Sequence, residues 1–388
     1  MLTLLRDAEI FAPEPLGRGD LLPAGCRIAA IGRDLASPPR GWPVEELHLD
    51  GAIVCPGLVD VHTHLDGGGG EGGAHTRVPA TQLSMLTTAG VTTAIGLLGT
   101  DSTTRSLASL LAAARGLAHY GVTALCYTGA YRVPPATLLG SVREDITLVD
   151  RVVAVGELAI SDHRSSQPTF DELMRIASDA HLAGLMTGKA GLVHLHLGDG
   201  PRGLSMVRQA LDRTELPPRT FHPTHVNRNR GLWAEAQEIA TRGVPVDLTA
   251  SPDEPGEPSA AQDLVDWVGA GLPLDRLTMS SDGGGCLPTF DDQGQLTHMD
   301  VGVAHSLLHA VRGARALGLS LDQALRPVTR TPAEVFRLHG KGRLELGADA
   351  DVLVLDANLG VVHLLAGGRF LVRSGQPCVL GAFERPAD

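Results

Sequence analysis

Two histidines one residue apart, His62 and His64, close the apolar run Pro56-Gly57-Leu58-Val59-Asp60-Val61-His62-Thr63-His64. Far downstream an aspartate stands in Ser280-Ser281-Asp282-Gly283. Alternation along a strand turns His62 and His64 to one face. Two neutral imidazoles so placed can grip one metal ion, and Asp282 can complete the site. Taken alone, the pair weighs evenly as ligands or as two of 16 ordinary histidines. Other residues tip the balance. Glu157 lies late in the apolar run Val152–Ile160, where a carboxylate is costly without a cation or hydrogen-bond partner. His196 and His225 end two further runs, and Tyr131 follows another. His194 shares a face with His196, and His222 competes with His225 in the same way. His196 is preferred because it lies nearer its strand end and leads into Gly198-Asp199. Four histidines and two carboxylates suit two borderline divalent ions such as zinc.

The elements that must position these residues alternate. Strand-like runs occur at 58–61, 92–98, 122–127, 152–160, 192–197, 220–226, 244–248 and 277–280. Between them, 81–89, 107–119, 169–183, 203–213, 232–242 and 260–270 carry apolar residues at helical spacing. This pattern fits an α/β fold, a (β/α)8 TIM-like barrel over 57–339, with an open parallel sheet as the alternative topology. A barrel gathers its C-terminal strand ends at one mouth, where the residues named above fall. Segments 1–56 and 340–388 hold short β-like pieces between Pro/Gly turns. Together they are expected to form one small β-sandwich domain.

Composition narrows the partners. The 388 residues allow a large core plus a small domain, and 43 % hydrophobic content is ordinary for a globular protein. A net charge of -12 with no Lys/Arg-rich run argues against nucleic acid or an anionic membrane. No apolar stretch approaches the roughly 18 residues of a spanning helix. The start, Met1-Leu2-Thr3-Leu4-Leu5-Arg6, becomes charged too soon for a signal peptide. Five scattered cysteines, none in a C-x-x-C pair, read as free thiols in a reducing compartment, so a cytoplasmic location is expected.

Pro56–His64, Asp282 and Gly347-Ala348-Asp349-Ala350-Asp351-Val352-Leu353-Val354 resemble the amidohydrolase superfamily of metal-dependent hydrolases. More local runs resemble its isoaspartyl (β-aspartyl) dipeptidases: Gly67-Gly68-Gly69-Gly70-Glu71, Gly99-Thr100-Asp101-Ser102, Thr128-Gly129-Ala130-Tyr131, Ile160-Ser161-Asp162-His163-Arg164-Ser165 and Pro223-Thr224-His225-Val226-Asn227-Arg228-Asn229. The resemblance covers nearly the whole chain. It implies a binuclear zinc centre with a bridging hydroxide, in a homo-oligomeric enzyme that hydrolyses β-aspartyl dipeptides. By that analogy His62, His64 and Asp282 hold one ion, His196 and His225 the other, and a carboxylate from the fourth strand bridges both. Asp282 would move the proton and Tyr131 would bond the oxyanion. Glu71 would take the substrate ammonium, Arg164 and Arg228 its carboxylates, and Thr100 would contribute through its backbone.

Two departures stand out. The family commonly bridges its metals with a carbamylated lysine, whereas this chain has Glu157 within Val155-Gly156-Glu157-Leu158. Its carboxylate needs no carbon dioxide, but its arm is much shorter. The stretch from Asp150 to Ser161 also runs one residue longer than the resemblance implies, and Gly156 would allow a bulge that advances the backbone. Lys189 is the other lysine to consider, although Thr187-Gly188-Lys189 reads as a turn outside the centre. Cys286 replaces a serine expected to help bind the substrate carboxylate, and a thiol is the weaker donor. The alternatives to a β-aspartyl dipeptidase are another amidohydrolase, such as a D-aminoacylase or cyclic-amide hydrolase, and a catalytically silent metal-binding homologue.

Overall fold

The computed structural model describes residues 2–39, 41–250, 259–291, 293 and 295–385. Among them eight strands pair in parallel, in chain order: β1 (Leu58–Thr63), β2 (Val91–Gly96), β3 (Thr123–Thr128), β4 (Val152–Ile160), β5 (Val193–Leu197), β6 (Phe221–Thr224), β7 (Val246–Thr249) and β8 (Leu277–Ser280). Every residue of β1, β2 and β4 through β8 is buried. In β5, β7 and β8 apolar residues that pack outward alternate with polar ones that bond within the barrel, so even the polar positions are buried.

The helices between strands cover the outside of this barrel. Phe170–Thr187 shows how sequence sets one. Thr169 and Glu172 form a capping box at its start, and Gly188, at φ 75°, ends it in the left-handed conformation. Its buried residues Leu173, Ile176, Ala177, Ala180, Ala183 and Gly184 recur at spacings of three and four, the stripe that faces the strands. No helix among the described residues is long and apolar enough to cross a membrane.

Closure between the first and last strands brings distant chemistry together. His64 donates its backbone N–H to the Gly283 carbonyl at 2.7 Å, and Thr63 bridges Gly283 in parallel. Below this, the fully buried carboxylate of Asp60 accepts from the Ser281 backbone N–H at 3.2 Å and from its hydroxyl. The start of the barrel is thereby laced to the segment carrying Asp282.

The two chain ends join in one hydrogen-bonded sheet of nine strands among the described residues. Ile53–Pro56 pairs antiparallel with Val352–Leu355, so N-terminal and C-terminal strands meet at its centre. Leu5, Ile10, Leu21, Val54, Val352 and Val354 form its core. Sequence patterning passes over Leu2–Phe11 and Pro15–Ala24, the longest strands of this sheet. The second begins Pro15-Leu16-Gly17-Arg18-Gly19-Asp20, residues poor in strand propensity that are held extended by pairing. It also passes over the helix Val142–Leu148, too short for periodicity to register, and the hairpin Cys286–Phe290 with Leu296–Val301.

The expected irregularity at Gly156 is present. Between Val193↔Val155 and Leu195↔Leu158, two steps along β5 correspond to three along β4, a one-residue bulge. Gly156 has φ 150°, and a Cβ there would lie 2.6 Å from the His194 carbonyl oxygen and 2.7 Å from the His194 Cβ. Gly156→Ala should therefore cost about 2–3 kcal/mol in denaturant unfolding, through backbone strain and overpacking. A loss below about 0.5 kcal/mol, the range of neutral surface changes, would show that the bulge tolerates a side chain.

Candidate active site

The strand ends supply the donors, and the turns just beyond them aim the last of these. His225 and Asp282 both follow their strands at positive φ, 60° and 50°, which is uncommon for residues with side chains. Each is thereby swung back over the barrel mouth. On one side, His62 Nε2 and His64 Nε2 lie 3.3 and 3.1 Å from Asp282 Oδ1, and 3.6 and 3.8 Å from Glu157 Oε1. On the other, Glu157 Oε2 lies 3.0 Å from His196 Nδ1 and 3.5 Å from His225 Nε2. The two oxygens of one carboxylate are thus divided between two pairs of imidazoles. The bulge in β4 makes this possible, because it turns the short Glu157 arm inward.

A cation centre fits these residues. An ion held tetrahedrally at about 2.0–2.1 Å has ligand–ligand edges of about 3.3–3.4 Å, the middle of the spacings seen here. His62 Nε2 and Asp282 Oδ1 are buried with no hydrogen-bond partner. Their chemistry is that of nitrogen and oxygen donors converging on a shared space. The electrostatics agree. Burial pushes the Glu157 carboxyl up, but His62 and His196 outweigh it and hold the group well below the usual carboxylate range. Burial opposes charge on His62, yet Glu157 and Asp282 lift it to about 9. The anionic pair thus draws positive charge into a buried space. Divalent metal use follows from this donor set.

Each imidazole but His64 has a partner behind it that fixes which ring nitrogen faces the centre. His196 Nε2 meets Asp162 Oδ2 at 2.9 Å, and His225 Nδ1 meets Thr249 Oγ1 at 2.8 Å. His62 Nδ1 meets His194 Nε2 at 2.8 Å. His194 and His222, the rivals of His196 and His225, lie deeper in the barrel, His194 behind His62 and His222 behind His194. Asp162 escaped the sequence reading, although its place two residues before Arg164 was a usable signal. The Arg164 guanidinium donates to it twice, at 3.1 and 2.8 Å.

The remaining residues line the approach. Glu71 Oε1 accepts from the Thr100 hydroxyl at 2.8 Å and lies 3.7 Å from Arg164 Nη1, while Glu71 Oε2 is buried without a partner. The Thr100 hydroxyl thus braces one oxygen of Glu71. The glycine loop carrying Glu71 is pinned by Arg105, which donates to the carbonyls of Asp66, of Gly68 at 3.0 Å and of Val78 at 2.8 Å. Sequence gave no sign of that role, because the three acceptors are backbone groups. The Tyr131 hydroxyl lies 2.8 Å from His196 Nδ1, and Arg164 covers its ring. The Cys286 thiol sits in the same region, pushed up to about 12 by burial and by Glu71. Arg228 is exposed at the rim, 3.6 Å from Asp199. Lys189 lies outside the centre: its ammonium donates to the Ile146 and Val149 carbonyls at 2.6 and 2.8 Å, closing the end of the helix Val142–Leu148.

Residues 53–376 match the model of the amidohydrolase family. The chain is similar throughout to a β-aspartyl dipeptidase from Fervidobacterium islandicum AW-1, a thermophilic keratin degrader, solved in complex with the β-Asp-Leu dipeptide. The two are 39 % identical, with 99 % of each chain covered and a TM-score of 0.95. A second structure of β-aspartyl dipeptidase from that organism gives 38 % identity, a TM-score of 0.92 and coverage of 99 % of this chain and 100 % of the other. A dihydroorotase from Streptomyces coelicolor is 32 % identical over 115 residues, 26 % of this chain and only 25 % of that enzyme.

Because the two oxygens of Glu157 face the two donor pairs, its removal should be felt at both. Protein refolded or loaded in carbon dioxide-free buffer should bind metal fully, and Lys189→Met should bind as much. Glu157→Ala should lose at least one ion per chain by elemental analysis, since the remaining cations would repel unscreened. Metal content that falls in Lys189→Met or requires bicarbonate would contradict this assignment.

Proposed function

We infer that this chain, which belongs to the amidohydrolase family and within it to the β-aspartyl dipeptidases, hydrolyses the isopeptide bond of β-aspartyl dipeptides. One juxtaposition carries the reading. A half-buried carboxylate, Glu71, with one oxygen left without a partner, and a half-buried guanidinium, Arg164, flank a hydroxyl, Tyr131, that reaches the doubly braced Glu157 centre. A zwitterionic dipeptide presents the complementary groups. The full-length likeness to an enzyme bound to β-Asp-Leu supports the same substrate class.

Two bound divalent ions, zinc by the character of the donors, would acidify a water and polarise the scissile carbonyl. Asp282, within reach of His62 and His64, takes the proton of the attacking water and returns it to the leaving amine as the C–N bond breaks. Tyr131 donates its hydroxyl proton in a hydrogen bond to the developing oxyanion. Glu71 Oε2 binds the α-ammonium of the aspartyl unit, Arg228 receives its α-carboxylate, and Arg164 receives the carboxylate of the leaving amino acid. Cys286 fills space beside Glu71 as a neutral thiol. The five free cysteines support a reducing compartment, the cytoplasm, for this reaction.

Purified protein with zinc should release leucine from β-Asp-Leu. N-acetylation of that substrate should lower kcat/KM by about a hundredfold or more, because Glu71 would face no ammonium. Equal hydrolysis of the free and blocked forms would rule out the reading of Glu71.

Asp282→Asn should keep the fold by circular dichroism and lose at least about a hundredfold in kcat, since an amide cannot accept the proton. Near-normal turnover of a metal-loaded Asp282→Asn variant would place the base elsewhere.

A further inference from the structure

Below the centre, the barrel interior holds a column of polar side chains that the reaction described above does not use. His62 Nδ1 meets His194 Nε2 at 2.8 Å, and His194 Nδ1 meets His222 Nδ1 at 2.9 Å. His222 Nε2 meets Thr278 Oγ1 at 3.0 Å, and Thr278 in turn donates to Asp247 Oδ1 at 2.5 Å. All five residues are fully buried. Tyr127 stacks on His194 at 5.0 Å between ring centroids, and its hydroxyl donates to the Val61 carbonyl at 2.8 Å. Phe336 packs edge-on against His222. The rings are therefore held in place from the sides.

Proton counting gives this column a direction. Each neutral imidazole has one donor and one acceptor nitrogen. Asp247 can only accept when ionised, and it also receives the hydroxyls of Thr224 at 2.7 Å and Ser280 at 2.5 Å. The single Thr278 proton goes to Asp247 or to the Val246 carbonyl at 3.4 Å, both acceptors, so in either case Thr278 Oγ1 must accept from His222 Nε2–H. His222 Nδ1 is then an acceptor and takes the proton of His194 Nδ1–H. His194 Nε2 is then an acceptor in its turn and takes His62 Nδ1–H. With its one proton committed to Nδ1, neutral His62, the form that can ligate a cation, has a bare Nε2, the atom that faces Glu157 and Asp282. Reversing any one bond would put a proton on His62 Nε2 and block it as a ligand.

We propose that Asp247, Thr278, His222 and His194 are positioning residues that hold His62 in its metal-binding tautomer by relaying the pull of a remote carboxylate through three intervening hydrogen-bonding side chains. A metal-ligating histidine ordinarily donates its second N–H to an adjacent carboxylate, carbonyl or water. Here the carboxylate is four links away. The proposal rests on His62 being a ligand, as in the function inferred above.

The direct measurement is long-range proton–nitrogen correlation on the histidine-labelled, zinc-loaded enzyme. It should report His222 protonated at Nε2 and His194 protonated at Nδ1. His222 protonated at Nδ1 would overturn the relay. Variants give an independent reading. Thr278→Val is near-isosteric and removes only the hydroxyl, and it should weaken zinc binding by about 10- to 100-fold in chelator competition. Its kcat at saturating zinc should stay close to that of the wild type, so the loss appears as a shift of the metal-activation curve. Thr278→Ser should restore the affinity. Unchanged affinity in Thr278→Val would reduce the column to packing, while leaving the dipeptidase reading intact. A wild-type enzyme that binds no divalent ion would overturn both.

Discussion

A carboxylate buried in a barrel must be matched on both oxygens, and the architecture of this protein answers that demand for Glu157. The side chain is 1 % exposed and would be costly to bury alone. Four imidazoles surround it, two on each oxygen, and they come from β1 and the residue just past it, the end of β5 and the turn after β6. Asp282, beyond β8, closes the arrangement on one side. No two adjacent strands could supply this set. Barrel closure through Asp60, Ser281 and Gly283 is what places the first and last contributors side by side.

The short arm of Glu157 sets a second requirement. A carbamylated lysine reaches the centre of such a barrel by its own length, whereas a glutamate needs its backbone brought forward. The extra residue in β4 and the absence of a Cβ at Gly156 answer that need, at the position where His194 presses against the strand. Glu157, Gly156 and His194 therefore form one structural solution. Replacing one without the others would leave either a carboxylate short of its partners or a backbone in collision with a ring.

Much of this was legible in the sequence because the signals were local. The barrel strands are short segments rich in apolar residues, so their order could be read directly, and two of them, Val152–Ile160 and Leu277–Ser280, agree with the patterning at both bounds. His62 and His64 announce themselves by spacing, and Glu157 by its apolar setting. What could not be read depends on distant backbone. Arg105 acts on three carbonyls, and Thr249 and Asp162 matter only because the fold sets them behind His225 and His196. The strand Pro15–Ala24 looks like a loop because pairing, not composition, makes it extended. His194 and His222 were visible as histidines, but alternation alone could not separate the layer facing substrate from the layer beneath it.

The central claim, that one glutamate bridges two ions without a carbamylated lysine, is tested most directly by anomalous diffraction at the zinc edge. The crystals would be grown from zinc-loaded protein in carbon dioxide-free buffer. The account predicts two anomalous peaks, one beside Glu157 Oε1 with His62, His64 and Asp282, the other beside Oε2 with His196 and His225. A Glu157 side chain turned away from the peaks, or density extending Lys189 into a carbamate between them, would contradict it.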